Sequence, residues 1–374
     1  MTNRRHSLLL LGAAAGCATG GRALAQAFPG RPHQYPAADP DYRLSFPRDF
    51  GAHTGFRTEW WYLTGWLDDR LGFQVTFFRV RTSHPEENPS RFAPTQLLFA
   101  HAALMRPENR RALHAQRAGR AGSPGVQSAV DDTDVRIGDW RLLRQPDDRY
   151  RAVIRDQAFT LDLLLTPPGE PGDATRRPWL QGTNGFSRKG PLPDQASHYY
   201  SRVQLQVTGR VDDKAVRGVA WFDHEWSTTV LDPAAEGWDW TGINLDDGGA
   251  LVAFRIRRRR DSPGAADPGA GPLWTYCALR HPDGRTEEIA PVGFDVIRTW
   301  QSPRTLATYP VAMTLELPGR RLRLEPLFDD QELDSRGSTG TIYWEGAVRV
   351  LDTQGRRTGL GYLELTGYHT PMKL

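Results

Sequence analysis

The chain has 374 residues, 39% apolar and 24% charged, which is too long for one ordinary core and too apolar for global disorder. Its formal charge of +3 comes from the first 25 residues, which hold Arg4, Arg5 and Arg22 and no acid. The remainder balances 44 acidic side chains with as many basic ones, so charge excludes a nucleic-acid partner, and no apolar run approaches a membrane span.

Residues 1–25 read as an export signal. Arg4-Arg5 form the charged start, Leu8 to Ala15 a short apolar stretch, and Ala23-Leu24-Ala25 a small-x-small cleavage site. The arginine pair fits a twin-arginine signal and an ordinary secretory one alike. Ala14-Ala15-Gly16-Cys17 also resembles a lipoprotein acceptor site, with Ala14 where Leu is usual. The expected location is exported, periplasmic or secreted. Cleavage after Ala25 leaves Cys277 as the one cysteine, so neither an intrachain disulfide nor a cysteine-based zinc site can form.

Residues 26–42, rich in Pro, Ala and Asp, form an extended lead-in. Short segments follow that mix β-branched and aromatic residues at period two, bounded by Gly, Pro, Asp or Asn. They are 72–81, 96–104, 150–165, 199–211, 218–224, 238–245, 250–258, 273–279, 311–317, 341–351 and 359–368. With 37 Gly, 28 Pro and 12 Trp against 4 Met, and no long amphipathic helix, the chain is expected to be mainly β. Irregular inserts are expected at 106–134, 166–196 and 260–272, and Arg257 to Arg260 as a solvated strand end.

An internal repeat organises this pattern. Trp60-Trp61-Tyr62, Leu67-Asp68-Asp69 and Phe73 recur 178 residues later as Trp238-Asp239-Trp240, Leu245-Asp246-Asp247 and Leu251. Gly218-Val219-Ala220 and Gly361-Tyr362-Leu363, 143 residues apart, suggest a second match. Two tandem β-barrel or sandwich domains are expected, over 43–234 and 235–374. Closed barrels suit the pattern because closure removes exposed edges and can enclose a small apolar ligand. The paired Trp residues serve either as barrel plugs or as ligand contacts.

The densest polar cluster is Trp221-Phe222-Asp223-His224-Glu225-Trp226. On a strand Asp223 and Glu225 face one side and His224 the other. Carboxyl groups turned into an apolar cavity would hold their protons and could donate them; His224, if it points in instead, could act as base or orient water. A buried network pinning two domains is the alternative. Glu59, beside Trp60 and Trp61, is either a cavity acid or a partner of Arg57. Ser197 to Ser201 offers two phenols and two hydroxyls, and Tyr343-Trp344-Glu345-Gly346 repeats the acidic-aromatic theme. Metal-helix, phosphate-loop and dinucleotide signatures are missing. Gly185 to Gly190 approximates a hydrolase elbow around Ser187, with its second glycine one residue late. His224 with Asp223 or Glu225 lacks a third metal ligand. No metal and no cofactor are expected.

In this order the clusters resemble the secreted lipocalin-like family of AttH-type proteins and carotenoid 1,2-hydratases. The matching stretches are 57–65, 185–190, 198–201, 218–226, 237–248 and 343–368. The resemblance implies two tandem lipocalin-like β-domains. It also implies one of two activities. The first is cofactor-independent, acid-assisted addition of water to a C=C bond of an isoprenoid or carotenoid-type ligand. Asp223 or Glu225 would give the proton, His224 would position or deprotonate the water, and aromatic faces would stabilise the cation. Glu59, Trp61, Tyr62, Tyr199, Trp226, Trp240 and Glu345 would contact the ligand. The second is a periplasmic carrier handing a small apolar ligand to an ABC transporter. Some members are described as secreted hydrolases. The export signal and Asp223-His224-Glu225-Trp226 place the sequence nearer the AttH-type members.

Overall fold

The computed structural model describes residues 35–84, 93–262 and 271–372. The signal expected over 1–25, with Cys17, and the centre of the insert at 260–272 lie outside these residues. Among the described residues the regular structure is almost entirely strand, as expected, with three-residue 3-10 turns as the helical segments.

The first sheet contains β1 (Thr58–Leu67), β2 (Leu71–Arg81), β3 (Gln96–Met105), β4 (Leu113–Arg120) and β5 (Val126–Ser128). It continues through β6 (Asp134–Ile137), β7 (Trp140–Arg144), β8 (Tyr150–Arg155) and β9 (Thr160–Thr166). Two short strands, β10 (Trp179–Leu180) and β11 (Phe186–Arg188), precede the long β12 (Ala196–Val211) and β13 (Lys214–Ser227). The spatial order is β4-β3-β2-β1-β13-β12-β9-β8-β7-β6-β5, with β10 and β11 laid on β12. Its ends meet where Arg117 of β4 donates to the Ile137 carbonyl of β6 at 3.2 Å and lies over the Trp140 ring. The sheet thus curls nearly into a barrel.

The second sheet contains β14 (Ala235–Leu245), β15 (Ala250–Arg258), β16 (Trp274–Arg280), β17 (Thr286–Glu288) and β18 (Gly293–Gln301). After them come β19 (Thr308–Leu317), β20 (Arg320–Pro326), β21 (Glu332–Ser335), β22 (Thr341–Leu351) and β23 (Arg357–Leu365). Its order is β17-β16-β15-β14-β23-β22-β20-β19-β18, with β21 on β22.

Taken outward from β1 and from β14, the two orders coincide until the first sheet adds β6 and β5 at its end. The turns at Asp68-Asp69 and Asp246-Asp247 close equivalent hairpins, as the first repeat match implies. The second match shifts by two residues. Tyr62 lies opposite Asp223, and Trp240, the repeat of Tyr62, lies opposite Glu364. Asp223 therefore corresponds to Glu364, and Gly218 to Gly359 rather than Gly361. A slip of two keeps every side chain on its own face, so the sequence match preserved the inward pattern while missing the register.

Three cores result. One fills the first sheet around Trp61, Phe222 and Trp226, and another fills the second around Ile243, Tyr309 and Trp344. The third lies between the sheets and joins Tyr62, Trp66 and Trp221 to Trp240, Phe254 and Tyr362. Trp66 Nε1 crosses this interface to the Gly361 carbonyl at 2.9 Å. At Gly242 a Cβ would lie 2.6 Å from the Trp240 ring and 2.8 Å from Trp221, so close packing requires glycine there.

Some expected loops are strands. Residues 106–134 hold β4 and β5, and 166–196 hold β10 and β11; β4, at the sheet edge, is polar enough to hide its alternation. The segment 150–165 is the hairpin of β8 and β9. Arg257 is no solvated strand end. It pairs with Asp239 at 3.0 Å and stacks 3.8 Å above the Tyr368 ring.

Candidate functional site

The β13 strand separates two environments because successive side chains alternate across a sheet. Asp223 and Glu225 face a cavity of about 320 Å³ between the two sheets, whereas His224 and Trp226 face the core of the first. Tyr62 and Trp60 of β1, in register with Asp223 and Glu225, continue the cavity wall. The second sheet supplies Trp238, Trp240, Tyr343, Glu345 and Glu364 to the same space.

Asp223 is 3% exposed and accepts three hydrogen bonds. Ser201 Oγ donates to Oδ1 at 2.5 Å, Trp221 Nε1 to Oδ1 at 2.8 Å, and the Tyr199 hydroxyl to Oδ2 at 2.8 Å. Trp240 Nε1 in turn donates to the Tyr199 oxygen at 3.3 Å. Burial pushes the Asp223 carboxyl up to about 7 against the pull of these donors, and the nearby Glu225 adds to the rise. Asp223 is thus a buried acid poised to exchange a proton near neutral pH.

Glu225 is held differently. The Lys189 ammonium lies 3.0 Å from Oε1, and Ser197 Oγ donates to the same oxygen. Lys189 also rests 4.6 Å from the centre of the Tyr199 ring and 4.2 Å from that of Phe254. It brings a fixed positive charge to a wall otherwise rich in aromatic and acidic groups.

On the opposite wall Glu345 and Glu364 are directly opposed on β22 and β23. Both carboxyls are raised, chiefly by burial. The Glu345 carboxyl is raised further by Glu364, and that of Glu364 by Glu225 and Asp223, with Trp238 donating to Glu364 against the rise. Among the described residues Glu345 Oε1 is buried without a hydrogen-bond partner, while the Tyr62 hydroxyl acts on the carboxyl against its rise. Tyr62 faces the same pair, and burial pushes its phenol up as well.

The other predicted residues lie behind this wall. His224 Nε2 is 2.9 Å from Glu59 Oε1, and its Nδ1 is 3.1 Å from the Tyr200 hydroxyl. Trp61 stacks on His224 with centroids 4.8 Å apart, and Trp226 stacks on His53 at 3.5 Å. Glu59 pairs with Arg79 at 2.7 Å, its register partner across the β1–β2 hairpin, rather than with the exposed Arg57. Burial alone would raise the Glu59 carboxyl, but Arg79 and the two imidazoles hold it well below the usual carboxylate range. Burial lowers His224, whereas His53 is raised because Asp49 and Glu59 outweigh its burial.

His53, Glu59 and His224 each offer a ligand atom within 4.8 Å of the others, a spacing a metal ion would accept. Arg79 already neutralises the carboxylate, however, and both imidazoles are hydrogen-bonded to it, so the cluster is complete as an ion-pair network.

The structure therefore brings Asp223, Glu225, Tyr62, Tyr199, Trp240 and Glu345 to one cavity, and places the side chains of His224, Glu59, Trp61 and Trp226 on the far face of the same strands. Ser187 Oγ is buried and has no hydrogen-bond partner, hence no base to activate it. Sequence reasoning missed Glu364 and Lys189. The signal for Glu364 was an acid isolated within the apolar run Leu360 to Leu365.

Comparisons with known proteins agree with this architecture. The AttH-like family profile matches residues 37–368. The crystal structure of an AttH from Nitrosomonas europaea is 47% identical, with a TM-score of 0.79, over 89% of this chain and 99% of that one. Kievitone hydratase from Nectria haematococca shares the fold with a TM-score of 0.62 at 16% identity, over 92% of this chain and 99% of that one. No curated protein matches at a significant level. The profile spans both sheets and every wall of the cavity, and the chain belongs to the AttH-like family.

Proposed function

We propose that the chain is a hydratase-type protein that adds water to a C=C bond of an apolar, isoprenoid-type ligand held between the two sheets, acting after export. The observation that supports this most is Asp223, a carboxylic acid buried in an aromatic-walled cavity and titrating near pH 7. Protonation of a trisubstituted alkene by Asp223 would leave a tertiary cation. The faces of Trp60, Trp238 and Trp240 would stabilise it through their ring quadrupoles until water adds. Lys189 and Glu225 would orient the polar end of the ligand. His224 would act as a positioning residue, fixing β13 from behind through Glu59 and Tyr200.

The test uses residues 26–374 with two probes, an acyclic carotenoid and kievitone, in oxygen-18 water. Mass spectrometry should find a product one water heavier that carries the label, and Asp223→Asn should abolish it. Recovery of both probes unaltered, bound equally by the wild-type chain and Asp223→Asn, would instead support the carrier reading.

A further inference from the structure

We propose that Glu364, together with Glu345, is the second acid–base group of the site and takes the proton released when water adds. The inference rests on the hydratase reading and concerns the group that accepts the proton of the attacking water. Hydration needs one group to give a proton to carbon and another to accept one from the attacking oxygen. Asp223, once deprotonated, has its new charge held by Ser201, Trp221 and Tyr199, which makes it a weak base at that moment and leaves the role to a second group.

The register of the two sheets identifies the second group. Asp223 lies opposite Tyr62 on β1, and Glu364 lies opposite Trp240 on β14, the equivalent strand of the second sheet. The two acids thus occupy one position of the repeat, and both line the cavity between the sheets. Their cross-strand neighbours differ. Ser201 sits opposite Asp223 and donates to it, whereas Glu345 sits opposite Glu364 and brings a second carboxyl. Side chains directly opposed in an antiparallel pair have Cβ atoms about 5 Å apart, so two carboxyls there cannot both ionise freely and one proton is shared. The unpartnered Glu345 Oε1 is the acceptor that such a proton requires.

The step balances. Asp223 breaks its O–H bond to form the new C–H bond, and water oxygen forms the C–O bond at the cation. One water proton then passes to the singly charged Glu345–Glu364 pair, which becomes neutral. Solvent returns a proton to Asp223 and removes one from the pair, leaving alkene plus water converted to alcohol. The titratable groups facing the pair are Asp223 and Glu225 of β13, Tyr62 of β1, Tyr343 of β22, Tyr362 of β23 and, through Glu225, Lys189.

Two measurements on residues 26–374 test the proposal. The first needs no substrate. Infrared titration of the protonated-carboxyl stretch should show a proton retained at neutral pH. In Glu345→Gln its loss should move to lower pH, because Glu364 then ionises without the directly opposed carboxyl of Glu345. The second follows labelled water addition to the acyclic carotenoid and to kievitone. Glu364→Gln should lower kcat by about 100-fold or more with little change in KM, and should remove the limb of the pH profile that reports the base. Glu345→Gln should lower kcat by less than Glu364→Gln does and move that limb to lower pH, in step with the infrared result.

If the wild-type chain hydrates a probe and Glu364→Gln matches it in rate and pH profile, the base assignment is wrong while the hydratase reading stands. If the wild-type chain hydrates neither probe, the reading fails and the base role falls with it. An infrared titration unchanged in both variants would overturn the shared proton independently of any turnover. Circular dichroism and elution volume identical to wild type confirm that the variants being compared are folded.

Discussion

Asp223→Asn should change how stability depends on pH, and the size of the change follows from the site. In the unfolded chain this carboxyl titrates near its ordinary 3.8, whereas burial holds it near 7 in the folded protein. Between those values the folded state binds a proton that the unfolded state has lost, so stability falls as pH rises, by about 1.4 kcal/mol per pH unit. The full interval amounts to roughly 4 kcal/mol, an upper figure because water entering the cavity would soften it. Asn suits the same place. Its carbonyl can keep the bonds from Ser201 and Trp221, and its amide can donate to the Tyr199 oxygen beside the bond from Trp240 once the phenol proton turns away. Urea unfolding of the two proteins should therefore coincide within about 1 kcal/mol at pH 4 and diverge towards pH 8, with the variant the more stable. Parallel curves across that range would show that Asp223 ionises as freely in the fold as outside it, and the argument for a buried acid would collapse.

Other expectations concern the frame around the site. Glu59→Gln leaves the buried Arg79 guanidinium without its counter-charge and should cost about 3–5 kcal/mol in urea unfolding; a loss below about 1 kcal/mol would mean that the network behind β13 is not needed. Gly242→Ala forces a methyl against Trp221 and Trp240, so a loss of about 1–3 kcal/mol and a shifted tryptophan emission are expected, and an unchanged protein would contradict the packing. Cys277 is 1% exposed, and burial pushes its thiol up to about 12. In residues 26–374 it should ignore a thiol reagent until denaturant is added; rapid labelling of the native protein would be inconsistent with its place in the second core.

The alternation of β13 was legible because period two is a property of any strand, and it correctly split Asp223 and Glu225 from His224 before any partner was known. The repeat was legible for the same reason, apart from its two-residue slip. What lay beyond the sequence required register or contact between sheets. The partner of Glu59 is Arg79, 20 residues further along and brought opposite by the β1–β2 hairpin rather than by proximity in sequence. The β1 strand, buried along almost its whole length, shows no alternation because one face packs in its own sheet and the other against the neighbouring sheet. The cavity's place between the sheets could not be read, since it belongs to neither half alone. Glu364 was overlooked because it stands singly, without the run of acids and indoles that draws attention to Asp223.

That asymmetry between two equivalent positions bears directly on chemistry. Two copies of one sheet packed face to face put the same register position of each on a shared cavity, which by itself would give two acids with the same tendency to hold a proton. Catalysis of water addition needs them unequal. Burial raises both to about 7, so the difference lies in their partners: Ser201, Trp221 and Tyr199 surround Asp223 with donors, whereas Glu364 meets a second carboxyl at Glu345. An acid among donors has a defined place for its single negative charge after the proton leaves. A carboxyl pair that already shares one proton has room for exactly one more. On the hydration proposal the packing of the two sheets would hold a donor and an acceptor on the walls of one cavity, and a ligand between Trp60 and Trp240 would meet both at once.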